Sequence, residues 1–105
     1  MENQYNIEYL QAEEILQLMK VEEVIFLDIR NVEEYKVEHI KGAVCIPILE
    51  LEKKESNLLD KNKKIVVYCN YGIRSKVGCE ILKRKGYKTI NMQGGILKWK
   101  GALEN

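Results

Sequence analysis

The 105-residue sequence has no excess of charge of either sign and no long apolar run. It carries 17 basic and 16 acidic residues, a formal net charge of +1, which leaves no electrostatic footprint for nucleic acid or an anionic membrane. The longest strongly apolar runs, such as residues 24–27, are far too short to span a bilayer. The polar, acidic start lacks the basic and apolar regions of a signal peptide. We therefore expect a cytoplasmic protein without nucleic-acid or membrane partners.

Cysteine and histidine are also scarce. The chain has three cysteines and one histidine, and an odd cysteine count in no zinc-ligand spacing predicts neither a metal site nor a cofactor. Free thiols are typical of a reducing compartment. Cys69 is therefore available for chemistry.

What the sequence does contain is a regular alternation of apolar and amphipathic segments. Its length and its 46% hydrophobic content predict one domain over residues 1–105. The apolar runs that predict strands cover residues 24–29, 42–47, 65–68 and 88–92. The segments that predict helices are the face formed by Ala12, Ile15, Leu16 and Met19, then residues 49–59, 75–85 and 96–103. This alternation predicts βα units, a mostly parallel sheet and helices on both of its faces, which is an α/β fold.

The segment around Cys69 differs from an ordinary strand end. In open α/β sheets ligands collect at the carboxyl ends of the strands, and Cys69 directly follows the strand of residues 65–68. The backbone N–H groups of residues 70–75 can form a concave anion nest, for which Gly72 supplies conformational freedom. Arg74 and the start of the helix 75–85 add positive charge. Each effect favours the thiolate and lowers the pKa of Cys69.

A cysteine at a strand end is more often a core residue than a nucleophile, because cysteine is among the most buried residue types. Cys45 lies in an apolar strand and Cys79 inside a predicted helix beside Val77, Ile81 and Leu82, which are expected to form the apolar face of that helix, so we interpret both cysteines as core. Cys69 differs because glycine, arginine, serine and a helix start follow it within one short loop.

Other polar and aromatic residues carry weaker signals. His39 is interpreted as structural, and Trp99 as a packing anchor. Asp28 and Arg30 end a strand and are candidates for the pocket border, although an ion pair between Arg30 and Glu34 explains them equally well.

Four segments resemble the single-domain rhodanese family, a sulfurtransferase-type domain. Asp28 and Arg30, with Glu34-Tyr35 after them, are similar to the family's Asp-x-Arg…Glu-aromatic segment. The other three are residues 35–46 (aromatic-x3-His-aliphatic-x-Gly-Ala), the loop 69–75 and residues 94–99 (Gly-Gly-x-x-x-Trp). Lys41 departs from the pattern, since many relatives have proline there. The resemblance implies a three-layer α/β/α sandwich around a mainly parallel sheet of about five strands.

The resemblance also implies a chemistry. Cys69 would take a sulfane sulfur from a donor such as thiosulfate or a persulfide and hold it as a persulfide, and a thiol or cyanide acceptor, including a thiol-bearing protein, would remove it. The implied anion cradle consists of Asn70, Tyr71, Gly72, Ile73, Arg74 and Ser75. Arg74 would bind the anionic end of the donor, and the exposed side chains of Asn70 and Tyr71 would tune the choice of donor or acceptor.

Three alternatives stay open at this point. A non-catalytic rhodanese-like module would bind a partner without using the thiol, although such a module has no reason to keep the whole loop. A cysteine phosphatase or arsenate reductase resembles Cys-x5-Arg, whereas Cys69 and Arg74 have the spacing Cys-x4-Arg. A redox sensor would exploit the same low-pKa thiol, but no close second cysteine is evident to resolve its oxidised form.

Overall fold

Five parallel strands form the central sheet of the computed structural model, which describes residues 5–53 and 59–105. In chain order the described elements are β1 (Glu8–Leu10), α1 (Ala12–Leu18), β2 (Val24–Asp28), α2 (Val32–Val37), β3 (His39–Ile40), β4 (Val44–Cys45), α3 (Ile48–Leu51), β5 (Lys64–Tyr68), α4 (Arg74–Arg84), β6 (Lys88–Met92), a 3₁₀ turn (Ile96–Lys98) and β7 (Leu103–Glu104). The sheet has the order β1-β6-β5-β2-β4, and β3 pairs with β7 in a separate antiparallel ribbon.

The register of the sheet brings the functional segments to one edge. Asp28 at the end of β2 lies opposite Tyr68 at the end of β5, and Cys45 at the end of β4 lies opposite Asp28 on its other side. Because parallel strands end at the same edge, the chain leaves all three strands at one level. The loop that starts at Cys69 therefore lies directly above Asp28 and Arg30.

Two apolar clusters cover the two faces of the sheet. One contains side chains of α3 and α4, such as Leu51 and Leu82, packed on Ile65 and Val67. The other contains Ile15 of α1 with the sheet residues that point the opposite way, and Tyr35 of α2 and Trp99 pack against it. The expected α/β/α arrangement around a parallel five-stranded sheet is thus confirmed. Among the residues described here, no helix is long and apolar enough to cross a membrane.

The predicted final helix over residues 96–103 is wrong. Only the 3₁₀ turn forms, Trp99 is already extended, and Leu103 pairs with Ile40 in the β3–β7 ribbon. Trp99 packs edge-on against Phe26, with ring centroids 5.2 Å apart, so it is the packing anchor that we expected. Gly101 disfavours a helix, and the strand partner supplied by residues 39–40 decides the outcome.

The polar segment 30–41 contains a helix that the hydrophobic pattern did not reveal. α2 is short and has no buried residue, so it lacks the apolar stripe that predicts a helix. Its signal is a capping box: the side chain of Asn31 accepts the backbone N–H of Glu34, and the carboxylate of Glu34 accepts the backbone N–H of Asn31. The short edge strand β1 and the ribbon strands β3 and β7 were also missed.

Two of the expected helix faces need correction. In α4 the buried residues include Gly78 and Cys79, whereas Val77 is exposed, because the helix approaches the sheet through its small side chains. A Cβ on Gly78 would lie 3.2 Å from a methyl group of Val67. In α1, Met19 is likewise exposed. The helix expected over residues 49–59 is observed as α3 (Ile48–Leu51), and residues 54–58 lie outside the described residues.

Candidate active site

Cys69 is buried at the first position after β5, and its sulfur is surrounded by hydrogen-bond donors. The side chain is only 2% exposed. The backbone N–H of Gly72 donates to Sγ over 3.1 Å, and Sγ lies 3.6 Å from the hydroxyl oxygen of Ser75. The loop 70–73 therefore folds back over the sulfur, as the sequence predicts for an anion nest.

Ser75 links the sulfur to the interior of the fold. It is fully buried in the first turn of α4, and its hydroxyl donates to Oδ1 of Asn91 on β6. The hydroxyl has one proton, which it can give either to Asn91 or to an ionised Cys69. Asn91, buried in the neighbouring strand, is a member of the site that the sequence did not single out.

The surroundings of the three free cysteines shift their pKa values in different directions. Burial by itself opposes ionisation of Cys69, but hydrogen bonds from the Ser75 hydroxyl and from the N–H groups of Ser75, Gly72 and Tyr71 outweigh it and lower the pKa of Cys69. Burial raises the pKa of Cys45, and it raises the pKa of Cys79 to about 12. Cys69 is thus the cysteine whose site favours a thiolate.

The glycine pair 94–95 shapes the loop from the other side. Gly95 adopts φ 65° and ψ −163°, a conformation that essentially only glycine tolerates, and a Cβ there would collide with the backbone of Cys69 and Asn70. The N–H of Ile96 donates to the carbonyl of Cys69 over 2.9 Å. The sequence predicts only a turn here. In the structure, this turn packs directly against the backbone of Cys69 and Asn70.

Asp28 and Arg30 form a buried ion pair beneath the loop. The guanidinium of Arg30 contacts both carboxylate oxygens of Asp28, the shortest contact being 2.7 Å. The remaining donors reach Oδ1 of Asn70 at 3.1 Å and the carbonyl of Glu38 at 2.6 Å. An ion pair between Arg30 and Glu34 was the alternative explanation for these residues, but the ion pair in the structure joins Arg30 to Asp28.

Glu34 of α2 instead contacts the active-site loop. Its Oε2 accepts the side-chain amide of Asn70 over 2.7 Å, and its Oε1 lies 3.7 Å from the guanidinium of Arg74. Asn70 is consequently held between a guanidinium and a carboxylate, so its side chain turns back toward α2. The side chain of Arg74 is 43% exposed and lies against Glu34.

Two residues of the predicted cradle project into solvent. Tyr71 is 68% exposed and Ile73 is 78% exposed. The backbone N–H of Tyr71 nevertheless contributes a hydrogen bond to the sulfur of Cys69. His39 lies elsewhere, in β3: its Nδ1 donates to the carbonyl of Tyr35 over 2.8 Å, and its Nε2 lies 3.2 Å from Glu104. Both ring nitrogens thus have protein partners, as in a structural histidine.

Across residues 5–53 and 59–105, no group of three or more histidine, cysteine, aspartate or glutamate side chains could hold a metal ion.

Comparison with known families agrees with this architecture. The model of the Rhodanese-like domain matches residues 11–102. A crystal structure of a rhodanese-like domain protein from Staphylococcus aureus superimposes with a TM-score of 0.80 at 27% identity, covering 93% of this chain and 97% of that one. The chain therefore belongs to the rhodanese-like domain family.

Three relatives show how the domain is used elsewhere. The chain is 36% identical over 98% of its length to a Bacillus subtilis protein described as a candidate sulfur carrier, YrkF, and 38% identical over 76% of its length to a candidate sulfurtransferase, YtwF, of the same organism. It is 33% identical over 88% of its length to a tRNA uridine(34) hydroxylase of Hamiltonella defensa. The match covers 77% of YtwF, 56% of YrkF and 28% of the hydroxylase, so the chain spans about half of the first relative and less of the last.

Proposed function

We propose that the chain is a sulfurtransferase in which Cys69 carries a sulfane sulfur as a persulfide. The observation that carries this proposal is the environment of Sγ, which accepts the N–H of Gly72 and has a lowered pKa although it is buried. Neither Cys45 nor Cys79 has such an environment. A lowered pKa enlarges the thiolate fraction of Cys69, which fits a reaction that begins with thiolate attack.

In the proposed first step, the thiolate attacks the outer sulfur of a donor. With thiosulfate, the new bond joins the sulfur of Cys69 to the sulfane sulfur, the S–S bond of thiosulfate breaks, and its electron pair leaves with sulfite. With a persulfide donor, a thiolate leaves instead. No proton moves in either case, so the step needs no general base, which agrees with the structural contacts of His39.

In the proposed second step, an acceptor removes the outer sulfur and Cys69 leaves as a thiolate. A low-pKa thiolate is a good leaving group in this type of exchange. Cyanide would yield thiocyanate, and a thiol, including one on another protein, would yield a new persulfide. N–H groups of the loop 70–75 would stabilise the charged sulfur between the two steps, as an oxyanion hole stabilises a developing anion.

The residues of the cradle would have distinct roles. Gly72 and Ser75 already contact the sulfur through a backbone N–H and a hydroxyl. Arg74 would share its charge between Glu34 and the anionic end of a donor, since its guanidinium is half exposed. The exposed side chains of Tyr71 and Ile73 would contact the acceptor. Asp28 and Arg30 would support Asn70 without touching the substrate.

The experiment that tests this proposal is persulfide formation. The protein is incubated with thiosulfate and, separately, with glutathione persulfide, and mass spectrometry is used to look for one added sulfur on Cys69. Cyanide is then added and thiocyanate is measured. Cys69→Ser should abolish both signals, whereas the matched variant Cys45→Ser should keep them.

The same preparation tests the other chemistries. The spacing Cys-x4-Arg is one residue shorter than the phosphatase pattern, so we expect no hydrolysis of an aryl phosphate. If no donor loads Cys69 while the protein is folded, the sulfurtransferase proposal fails and a binding module remains. We further propose that this activity belongs in the cytoplasm, where thiols stay reduced.

A further inference from the structure

The two arginines nearest to the active-site loop are both paired with carboxylates. Arg30 is buried and its donors contact Asp28, Asn70 and the carbonyl of Glu38. Arg74 begins α4, and its guanidinium lies 3.7 Å from Glu34. An anionic donor that reaches Cys69 therefore meets Arg74 in a pair with a carboxylate rather than as an unpaired cation.

Glu34 is held in this position by three separate contacts. Its Oε1 accepts the backbone N–H of Asn31 over 3.2 Å as part of the capping box of α2. Its Oε2 accepts a hydrogen bond from the side-chain amide of Asn70, and its Oε1 also lies 3.7 Å from the guanidinium of Arg74. Burial alone would raise the pKa of Glu34, but the hydrogen bonds from Asn70 and Asn31 outweigh it and lower the pKa, so this carboxylate is charged near neutral pH.

Glu34 contacts two residues of the loop, Asn70 and Arg74, which are adjacent in sequence to Cys69 and Ser75. Asn70 follows Cys69, and Arg74 precedes Ser75, whose hydroxyl lies 3.6 Å from the sulfur of Cys69. A negative charge at this place acts on a donor in two ways. It repels a dianion more strongly than a monoanion, and it competes with the donor for Arg74.

We propose that Glu34 is a specificity-determining residue that disfavours dianionic sulfur donors, such as thiosulfate, relative to monoanionic persulfides. This inference rests on the proposed sulfurtransferase function and deepens it by naming the charge class of the donor. The pair between Glu34 and Arg74 is partly exposed, and such pairs are weak. Glu34 therefore reduces the loading of a dianion without preventing it.

The test compares Glu34→Gln with Glu33→Gln. Glutamine keeps the length of the side chain and can still serve in a capping box, so α2 should remain folded. Glu33 is the adjacent, exposed residue of the same helix, and its substitution removes the same charge without changing the contacts to Asn70 and Arg74. Thermal unfolding of both variants checks the fold.

The measurement is the second-order rate constant for loading Cys69, followed by rapid quenching and mass spectrometry. The donors are thiosulfate, a dianion, and hydroxyethyl persulfide, a monoanion. Glu34→Gln should raise the loading constant for thiosulfate about tenfold and that for the persulfide no more than about twofold, a difference of about 1 kcal/mol in activation free energy. Glu33→Gln should change both by less than about twofold. In a background that carries Arg74→Ala, the gain from Glu34→Gln should be smaller, because only the direct repulsion is then left to relieve.

A second measurement uses the salt dependence. In the unmodified protein, raising the salt concentration should speed thiosulfate loading relative to persulfide loading, because salt screens repulsion between like charges. Glu34→Gln should weaken this salt effect, whereas Glu33→Gln should not, since the thiolate of Cys69 contributes equally in all three proteins. If salt slows thiosulfate loading more, or if Glu34→Gln changes both donors equally or no more than Glu33→Gln does, the inference is overturned. If neither donor loads Cys69, the proposed function itself fails.

Discussion

Cys69 and Cys79 belong to the same apolar cluster, yet their surroundings shift their pKa values in opposite directions. Both are buried on the face of the sheet that α4 covers. Burial raises the pKa of Cys79 to about 12, whereas hydrogen bonds to the sulfur overcome burial and lower the pKa of Cys69. Burial alone therefore does not decide the direction in which the pKa of a cysteine shifts in this protein. The hydrogen-bond donors that contact the sulfur account for the difference between Cys69 and Cys79.

The reason lies in the backbone around each residue. Cys79 lies inside α4, where backbone N–H groups are used by helix hydrogen bonds and cannot turn to a side chain. Cys69 precedes a loop and the first turn of α4, where N–H groups have no helical partner and can face the sulfur. The pKa of a cysteine is thus raised within this helix and lowered just before it.

The largest expected effect is a difference between the alkylation rates of Cys69 and Cys79. With iodoacetamide at pH 7, Cys69 should react at least about 100-fold faster than Cys79, because the thiolate is the reacting form and its fraction falls tenfold per unit of pKa. The midpoint of the pH dependence of Cys69 alkylation should lie below the pKa of an ordinary cysteine, because hydrogen bonds to the sulfur lower its pKa. Peptide mapping by mass spectrometry measures both sites in one sample.

Cys69→Ser serves as the control for this prediction, since it should remove the fast phase and leave the slow one. Equal rates at the two cysteines, or a fast phase that survives the substitution, would show that the loop does not activate the thiol.

The next effect concerns Gly95, in the turn that packs against the loop 69–75. Gly95→Ala places a Cβ against the backbone of Asn70 in a conformation reserved for glycine, and should lower the free energy of unfolding by about 3 kcal/mol or more. The alkylation rate of Cys69 should fall with it. Urea unfolding gives the stability.

Gly42→Ala is the matched control for Gly95→Ala. Gly42 also has a positive φ, 82°, but a Cβ there meets nothing within 4 Å, so its cost should stay near the backbone strain of about 1–2 kcal/mol. A similar loss of stability and unchanged Cys69 reactivity in both variants would contradict the role of Gly95.

The smallest expected effect comes from comparing substitutions of Ser75 and of Asn91, which accepts a hydrogen bond from the Ser75 hydroxyl. Ser75→Ala removes a hydrogen bond to the sulfur and should raise the pKa of Cys69 by about one unit, which slows alkylation at pH 7 by up to about tenfold. Asn91→Ala frees the Ser75 hydroxyl for the thiolate, so the pKa should stay or fall. The pH dependence of alkylation measures both.

These two variants carry comparable stability penalties, since each leaves one buried polar partner without its hydrogen bond, at about 1–3 kcal/mol. Loss of stability alone therefore cannot explain a difference between their pH profiles. If both substitutions raise the pKa of Cys69, Asn91 holds the serine in place rather than competing for its proton.

Four strands of the central sheet, β2, β4, β5 and β6, and the helix α4 could be predicted from sequence because their signals are local. Continuous apolar runs marked β2 and β5, and a basic end followed by glycine marked the close of α4. The short helix α2 was missed because its capping box was not used, although Asn31 and Glu34 have the required spacing. The ribbon strands β3 and β7 could not be predicted, since they pair residues 63 and 65 positions apart and carry no periodicity of their own.

By itself, the sequence determined which residue could be the nucleophile. An apolar strand that ends in Cys69, followed by Gly72, Arg74 and Ser75, specifies a thiol at the carboxyl edge of a sheet and a loop able to surround it. These are consequences of local order along the chain, which is why they could be deduced without the fold.

Only the tertiary structure decided what surrounds that nucleophile. Glu34 reaches Asn70 across 36 residues, Arg30 reaches Asn70 across 40, and Ser75 reaches Asn91 across 16. Gly95 meets the loop only because β5 and β6 end side by side. Such contacts depend on how separate strands and helices are brought together, and no spacing in the sequence encodes them directly. The charge around Cys69 is therefore a property of the fold.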